Sequence, residues 1–371
     1  MRRALPLLRT MKDDPAEYTA FLVELQHAVD LLLRGGISHE RMALAVVDSL
    51  AERLLYQHAE RCFSAGDSRV GILADPFPAP RRAKILGDFR KRVQLAQNDE
   101  KFLFLVSPLL DEFDADIFRL AHDYRGPSYH RGEHNPALAG PIGRLYVQAV
   151  GRAFARAMGD SLLSFSSDSV RELERYRGPG AGSLVPRRET GPIVEALAVE
   201  LTVDRRDLAG RLYENSDRRL KGIEAVVEGL RGGLNETIID ELIEAAQFWA
   251  DHRGDEDLHR LAREEQILEN EAEDREELGE DLARKIVENK MAQIARMEEL
   301  KVKTDIRVDL STIGVLRRRI NQLSSKAKTP SLLHAYLQVD DLLGLLETTV
   351  EWVQYSWERS VEQAVDEARG K

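Results

Sequence analysis

The chain has 371 residues, of which 43% are hydrophobic and 32% charged, and its net charge is −11. This length and composition suit two ordinary domains and exclude a collagen-like, mucin-like or wholly disordered polymer. A single cysteine, Cys62, excludes a disulfide scaffold and a cysteine-based zinc cluster, and it suits a reducing compartment. Because no apolar run approaches the length of a membrane span, we expect a soluble cytoplasmic protein.

The charge is distributed unevenly along the chain. Residues 1–190 contain 27 Lys and Arg against 25 Asp and Glu, whereas residues 191–371 contain 26 against 39. A strongly acidic half is a poor partner for nucleic acid, because neutralisation of phosphates supplies most of the affinity. The asymmetry therefore indicates two functional units, of which only the first suits contact with RNA.

Apolar residues at spacings of three and four, which are typical of helices, recur in almost every long segment, and alternating strand patterns are nearly absent. The first such stripe predicts a helix that ends at Gly35-Gly36, and Ser38 is a good N-cap for a second helix. A basic stretch predicts a further helix near residues 81–98. These patterns favour an all-α fold.

The clearest stripe of the first half predicts a helix from Leu110 that ends near Arg125. We expect it to stop there because Gly126 and Pro127 disfavour continuation. A polar loop over residues 128–136 then leads to another amphipathic helix.

The second half is predicted to consist of longer helices. The composition of residues 179–191 is that of a linker between a helical bundle over 1–178 and an acidic long-helix region over 192–371. Residues 255–303 predict a long exposed helix with partial coiled-coil character. A heptad rhythm from Leu332 to Trp357 predicts packing against another long helix, within the chain or in a second chain.

Several common functional motifs are absent from the sequence. It contains no Gly-x4-Gly-Lys-Ser/Thr, no Gly-x-Gly-x-x-Gly after a strand and no Gly-x-Ser-x-Gly. His122, His130 and His134 fall within 13 residues, but two of them lie in the predicted polar loop, so we expect solvated histidines and no metal. Cys62 is predicted to be a buried structural residue, and no cofactor is predicted.

Arg125 and His130 combine two groups that can cleave RNA without a metal. A neutral histidine can take the proton of a ribose 2′-hydroxyl, and an arginine can hold the scissile phosphate by two hydrogen bonds. The spacing alone is unspecific, because similarly spaced pairs occur four times. They are Arg34/His39, Arg53/His58, Arg125/His130 and Arg253/His259. The third pair is distinguished by its context, which is a polar loop after a strongly amphipathic helix.

The segment RGPSYHRGEHN, with Arg125, Tyr129 and His130, resembles the Arg-x4–6-His signature of the HEPN superfamily of small helical bundles. The helix ALAVVDSLAERLLYQH, in which apolar residues surround Asp48 and Glu52, is similar to an early helix of that family. The resemblance covers about residues 15–160 and leaves the acidic half unexplained.

The resemblance implies a metal-independent endoribonuclease, such as a toxin or an anti-phage defence effector, that pairs two motifs in a homodimer. It implies that His130 is the general base or acid and that Arg125 stabilises the phosphorane. The predicted substrate contacts in the same loop are Tyr129, Arg131, His134 and Asn135. The alternative is a non-catalytic helical scaffold or regulator that binds a nucleotide or, through the C-terminal helices, a protein partner; the net negative charge favours this alternative.

Overall fold

The computed structural model shows an all-α protein, as the sequence predicts. It describes residues 15–67, 77–97, 107–131, 136–158, 162–164, 184–186, 189–251, 308–326 and 328–369, with isolated positions at 174 and between 260 and 292. The helices in these ranges are α1 (Pro15–Arg34), α2 (Ile37–Asp67), α3 (Ala79–Leu86), α4 (Phe89–Ala96), α5 (Glu112–Arg131), α6 (Pro136–Met158), α7 (Thr190–Ala198), α8 (Arg205–Arg231), α9 (Glu236–Asp251), α10 (Leu310–Leu323) and α11 (Thr329–Ala368).

One short β element accompanies these helices. Strand β1 (Leu162–Ser164) pairs antiparallel with β2 (Leu184–Pro186), and Leu163 lies opposite Val185. Strands of three residues each are too short to show an alternating pattern in the sequence. No helix in the described part of the chain is long and apolar enough to cross a membrane.

The turn between α1 and α2 depends on two glycines. Gly35 and Gly36 have φ of +66° and +84°, a left-handed conformation that costs an L-residue about 1–2 kcal/mol. The predicted end of the first helix is thus confirmed, and α2 begins at Ile37, one residue before the predicted cap at Ser38.

The predicted basic helix near 81–98 is in fact two short helices, α3 and α4. The helix is interrupted at Gly87 and Asp88. The Asp88 side chain is the N-cap of α4 and accepts a hydrogen bond from the backbone N–H of Lys91. The Asp88 carboxylate accepts a hydrogen bond from a backbone N–H at the start of α4 that would otherwise have no partner in the helix. The interruption between α3 and α4 is therefore stabilised by a local contact.

The predicted end of α5 near Arg125 is wrong. The helix continues through Gly126 and Pro127 to Arg131, so residues 128–131 of the predicted polar loop over 128–136 are helical, and residues 132–135 lie outside the described part. Proline within a helix removes one backbone hydrogen bond, a local penalty that tertiary packing can outweigh. Arg125 and position 130 therefore share one continuous helix.

Contacts between Cα atoms divide the chain into two compact units. Unit 1 comprises Met1–Tyr213 and Leu323–Leu337, and unit 2 comprises Glu214–Gln322 and Gln338–Lys371. The predicted linker at 179–191 lies mostly outside the described residues, and the contacts place the division at Tyr213 rather than there.

Unit 1 is built around the packing of α1, α2, α5 and α6. Their apolar faces form one buried cluster, in which the rings of Phe21 and Phe154 stack with centroids 3.9 Å apart. The α7 helix packs on α6 at Gly151, where a Cβ atom would lie 2.1 Å from a methyl group of Val194. Tyr18 of α1 hydrogen-bonds the hydroxyl of Thr190 at 3.1 Å, so Thr190, within the predicted linker, belongs to this bundle, as does Val194 beyond it.

Unit 2 buries the heptad stripe of the C-terminal helix. From Val339 to Val353 the stripe positions are at most 1% exposed, and Trp357 is half-buried against Gly233. Arg219 of α8 binds Glu347 of α11 by two hydrogen bonds, of 2.9 and 2.6 Å. This part of the stripe therefore packs within one chain. The predicted helix over 255–303 lies largely outside the described residues.

Candidate active site

A fully buried carboxylate, Asp48, lies at the centre of the polar cluster in unit 1. It is 0% exposed on α2, where its neighbours Val47, Leu50 and Ala51 belong to the apolar core. The Tyr146 hydroxyl on α6, also 0% exposed, donates a hydrogen bond to Asp48 Oδ1 at 2.9 Å. A buried charge in an apolar core is costly unless it is fully hydrogen-bonded, so its other partners decide what the cluster can do.

Two cations or potential cations of α5 complete the cluster. His122 Nδ1 lies 3.0 Å from Asp48 Oδ1 and 3.3 Å from Oδ2, and Arg125 Nη1 donates to Oδ2. The side chains of His122 and Arg125 are 27% and 37% exposed, so both reach from the buried carboxylate to the surface. Glu52, one helical turn beyond Asp48 on α2, has its Oε1 atom 3.9 Å from Arg125 Nη1.

These contacts fix the protonation states of the cluster. Burial alone would raise the pKa of Asp48, but the hydrogen bond and charge of His122, with the hydrogen bonds of Tyr146 and Arg125, hold that pKa below its usual value. Burial and the charge of Asp48 raise the pKa of Tyr146 well above its ordinary value, so the phenol remains a donor. An ionised Asp48 only accepts hydrogen bonds, so His122 carries a proton on Nδ1, and in the neutral imidazole Nε2 is the basic nitrogen.

Helix α5 explains why His122 and Arg125 meet at one carboxylate. Residues three apart lie on one helix face, so both side chains point toward α2. Position 130, five residues beyond Arg125, lies about 140° away around the helix axis. The structure places Arg125 beside Asp48 and Glu52, the two acidic residues that the sequence analysis named on α2. The catalytic role of Arg125 stays a prediction.

The other predicted site residues are described only in part. Tyr129, His130 and Arg131 belong to α5 by their backbone, and their side chains lie outside what the structure describes. His134 and Asn135 lie wholly outside the described residues. The predicted roles of these five residues therefore remain predictions.

An aromatic ring supports His122 from the side of α4. The Phe89 ring is parallel to the imidazole, with centroids 3.6 Å apart and an interplanar angle of 2°. The next residue, Arg90, donates to Asp123 Oδ2 at 2.6 Å, so the start of α4 is fixed against the same turn of α5. Asp48 and Phe89 together hold the ring in one orientation, which a proton-transferring histidine requires.

The cluster also contains a potential set of metal ligands. Ligand atoms of Asp48, Glu52 and His122 lie within 4.8 Å of one another, and no other such group occurs among the described residues. Arg125 already bonds Asp48 and lies close to Glu52, so it supplies the positive charge that a metal would bring. A cation at this point would have to displace the guanidinium group, so the geometry favours a site neutralised by arginine.

A second carboxylate–histidine pair lies elsewhere in unit 1. His334 Nδ1 of α11 is 3.2 Å from Asp116 Oδ2, at the wall of an open cavity of about 450 Å³ that Glu112 and Ser331 also line. Burial raises the pKa of Asp116, and the contact with His334 offsets this only in part. The Asp116 pair therefore holds its charge less firmly than the Asp48 pair, and it serves as a comparison below.

Sequence reasoning missed the partnership of Asp48 with His122 and Tyr146. The available signals were a lone aspartate on an apolar stripe of α2 and a histidine three residues before Arg125, on the same helix face. Cys62 is buried beside Phe63 and Phe77, which confirms its predicted structural place.

The fold and site together define an all-α protein with an Asp–His–Arg cluster at the partly exposed edge of a helical bundle. No family model, curated protein or solved structure matches the chain.

Proposed function

We propose that this protein is a metal-independent endoribonuclease of the HEPN type whose active site is centred on Arg125. The observation that carries the proposal is that one buried, ionised carboxylate, Asp48, orients both a basic imidazole and a guanidinium group toward the surface. A general base beside an anion-stabilising cation is the minimum that cleavage by a ribose 2′-hydroxyl needs.

In the proposed reaction, Nε2 of His122 accepts the proton of the 2′-hydroxyl as this oxygen attacks the adjacent phosphorus. Arg125 stabilises the charge that develops on the phosphoryl oxygens, and Asp48 stabilises the imidazolium that forms. The bond from phosphorus to the 5′-oxygen breaks, and that oxygen takes up a proton from the general acid. We assign this acid role to His130, which the resemblance to HEPN domains implies.

The assignment of His130 depends on the homodimer that the resemblance implies. Gly126 and Pro127 depart from the polar residue that commonly follows the arginine in the family, yet the helix passes through them. Position 130 therefore lies on the same helix as Arg125 but about 140° around its axis, so the proposed acid acts at the Arg125 cluster of the second chain. The homodimer that the resemblance implies would bring together two such helices, and the mass of the particle in solution tests it.

The test is cleavage of single-stranded RNA by the purified chain in EDTA. We expect Arg125→Ala and His130→Ala each to abolish cleavage and His122→Ala to lower the rate of the chemical step by 10²-fold or more, on the order of a lost general base. His334→Ala removes the aspartate-paired histidine outside the cluster and should leave the rate unchanged.

A second control comes from the sequence itself. Arg34 and His39 have the same spacing as Arg125 and His130, but His39 Nδ1 contacts the Gly35 carbonyl at 2.9 Å in the turn between α1 and α2. Arg34→Ala and His39→Ala should therefore leave cleavage unchanged. Cleavage that is lost in EDTA, or that survives Arg125→Ala, would refute the proposal.

The scaffold alternative is favoured by one observation on α11. Trp352 and Tyr355 are 41% and 62% exposed, and Val361 and Val365 further along the helix are about 40% exposed. Exposed aromatic residues on a helix are typical anchors of protein interfaces. If this alternative holds, Trp352→Ala with Tyr355→Ala abolishes capture of a protein partner, and the chain cuts no RNA in EDTA.

A further inference from the structure

The segment from Ala79 to Gln97, helices α3 and α4, is the most basic surface of unit 1 in the described part of the chain. It contains six lysines and arginines and one acidic residue, in a protein whose net charge is −11. Its buried apolar residues are Ile85, Phe89, Val93, Leu95 and Ala96. The face that remains outside is therefore mainly polar and cationic, and its exposed apolar residues are small.

Two of the six cations hold the two helices together. Arg82 donates from Nε to the Phe77 carbonyl and lies over the Phe63 ring at 5.4 Å. Arg92 donates to the Leu86 carbonyl and lies over the Phe89 ring at 5.8 Å. Both side chains are half-buried. Their stacking and carbonyl contacts give the pair of helices a fixed shape.

Three other cations lie on the outer face, and we call Arg81, Lys84 and Arg90 the basic triad. All three are exposed, and Arg81 is placed over the Phe77 ring at 5.3 Å. Arg81 and Lys84 are three residues apart, so they lie on the same face of α3. Arg90 is paired with Asp123, but its side chain is 57% exposed, and such a surface ion pair is worth at most about 1 kcal/mol. Exchange of this partner for a phosphate is therefore cheap.

Arg90 of the basic triad lies beside the Arg125 cluster, and Arg81 and Lys84 lie on the neighbouring helix α3. Arg90 follows Phe89, whose ring stacks on His122, and its own partner is Asp123, the residue next to His122. Cations in this position can hold the phosphates that flank a scissile phosphate at Arg125.

We propose that the basic triad on α3 and α4 binds the phosphate backbone of single-stranded RNA and guides it to the Arg125 cluster. This inference rests on the proposed ribonuclease function, since it names the surface by which the substrate is held. Phosphate contacts contribute affinity without base specificity, so the triad sets how tightly RNA binds and Arg125 sets where chemistry occurs.

Binding to a labelled single-stranded 2′-O-methyl oligonucleotide tests the triad separately from cleavage, because this probe has no 2′-hydroxyl to attack. We expect the triple variant Arg81→Ala/Lys84→Ala/Arg90→Ala to weaken binding about tenfold or more near 0.1 M salt. The slope of log K against log salt should fall in magnitude by about 2, because each lost phosphate contact on a single strand accounts for about 0.7. On cleavable RNA the triple variant should raise KM by a larger factor than it changes kcat.

A matched control removes three exposed cations from other helices, Arg206, Arg318 and Arg319, and should bind as the wild type does. Equal affinity and slope for the triad variant and the wild type would overturn the inference. Displacement of the probe by poly-L-glutamate as effective as by unlabelled RNA would also overturn it, because the surface would then suit an acidic polypeptide.

The two proposals fail in different ways. Triad-dependent binding without any cleavage keeps the RNA surface and refutes the ribonuclease. Cleavage that persists with an unchanged KM in the triad variant keeps the ribonuclease and refutes the RNA surface.

Discussion

Replacement of the buried carboxylate by its amide, Asp48→Asn, changes one charge with almost no change in volume. Asp48 accepts hydrogen bonds from Tyr146, His122 and Arg125, and a hydrogen bond to a charged group contributes about 1.5–3 kcal/mol. His122 and Arg125 are partly exposed and regain water when the charge is lost, so the losses do not add fully. We expect the free energy of unfolding to fall by about 2–4 kcal/mol at pH 7.

The same substitution also changes the tautomer of His122. The amide can donate to Nδ1, which moves the proton of the neutral ring to Nε2 and removes the basic nitrogen from the surface. In the proposed mechanism the rate of cleavage should then fall by up to about 10⁴-fold, the loss that this change causes in a catalytic Asp–His pair. The effect on rate should therefore exceed what the loss of stability explains at a temperature where the variant is folded.

Urea unfolding and single-turnover cleavage measure the two effects. Asp207→Asn is the matched control, because Asp207 forms a surface pair with Arg211 at 2.7 Å and is 53% exposed, so its cost should stay below about 1 kcal/mol. Because the pKa of Asp48 is lowered, its contribution is complete above the unfolded value of 3.8 and is lost as pH falls further. Wild type and Asp48→Asn should converge in acid. Equal stability of the two proteins at pH 7 would refute the assignment of Asp48 as an ionised partner.

Three further predictions concern stability alone. Burial, reinforced by the positive charge of Arg61, lowers the pKa of His58 from 6.5 to about 4. The free energy of unfolding in urea should therefore fall by about 3 kcal/mol as the pH decreases from 6.5 to 4. His58→Gln should remove this dependence of stability on pH. Gly126→Ala should raise the free energy of unfolding by about 1 kcal/mol because position 126 is within α5. Gly35→Ala should lower the free energy of unfolding by about 1–2 kcal/mol because φ at this position is +66°. A lower stability of Gly126→Ala would contradict the continuous helix. Gly151→Ala should lower the melting temperature, because its Cβ would overlap Val194, and an unchanged melting temperature would contradict the packing of α7 on α6.

The helices that could be predicted from the sequence are those whose apolar spacing is a local property. Helix α1, the glycine turn after it and the stripe from Leu332 follow from such spacing, and the structure confirms them as secondary structure. The length of α5 could not be predicted, because Gly126 and Pro127 each have a low helix propensity. The burial of Phe118 and Ala121, which stabilises the same helix, is known only from the fold. Whether the C-terminal stripe packs within one chain likewise depends on Arg219 and its contacts with α11.

Only those residues of the candidate site that are close together in the sequence could be predicted as a site. Arg125 was identified from a motif of adjacent residues, whereas Asp48 is 77 positions from Arg125 and 98 from Tyr146 in the sequence. Spacing along one chain carries no information about such pairs. The basic stretch of α3 and α4 was visible as composition, but its place beside His122 depends on the stacking of Phe89.

The chemical ends of the RNA products test the central claim most directly. RNA is incubated with the chain in EDTA, and the products are analysed by mass spectrometry, with a substrate that carries a 2′-deoxy nucleotide at the cleaved position as control. Attack by the 2′-hydroxyl at Arg125 predicts 2′,3′-cyclic phosphate and 5′-hydroxyl ends, no cleavage of the deoxy substrate and no products with Arg125→Ala. Products with 3′-hydroxyl and 5′-phosphate ends, or no cleavage of any RNA by the wild-type chain, would contradict the account.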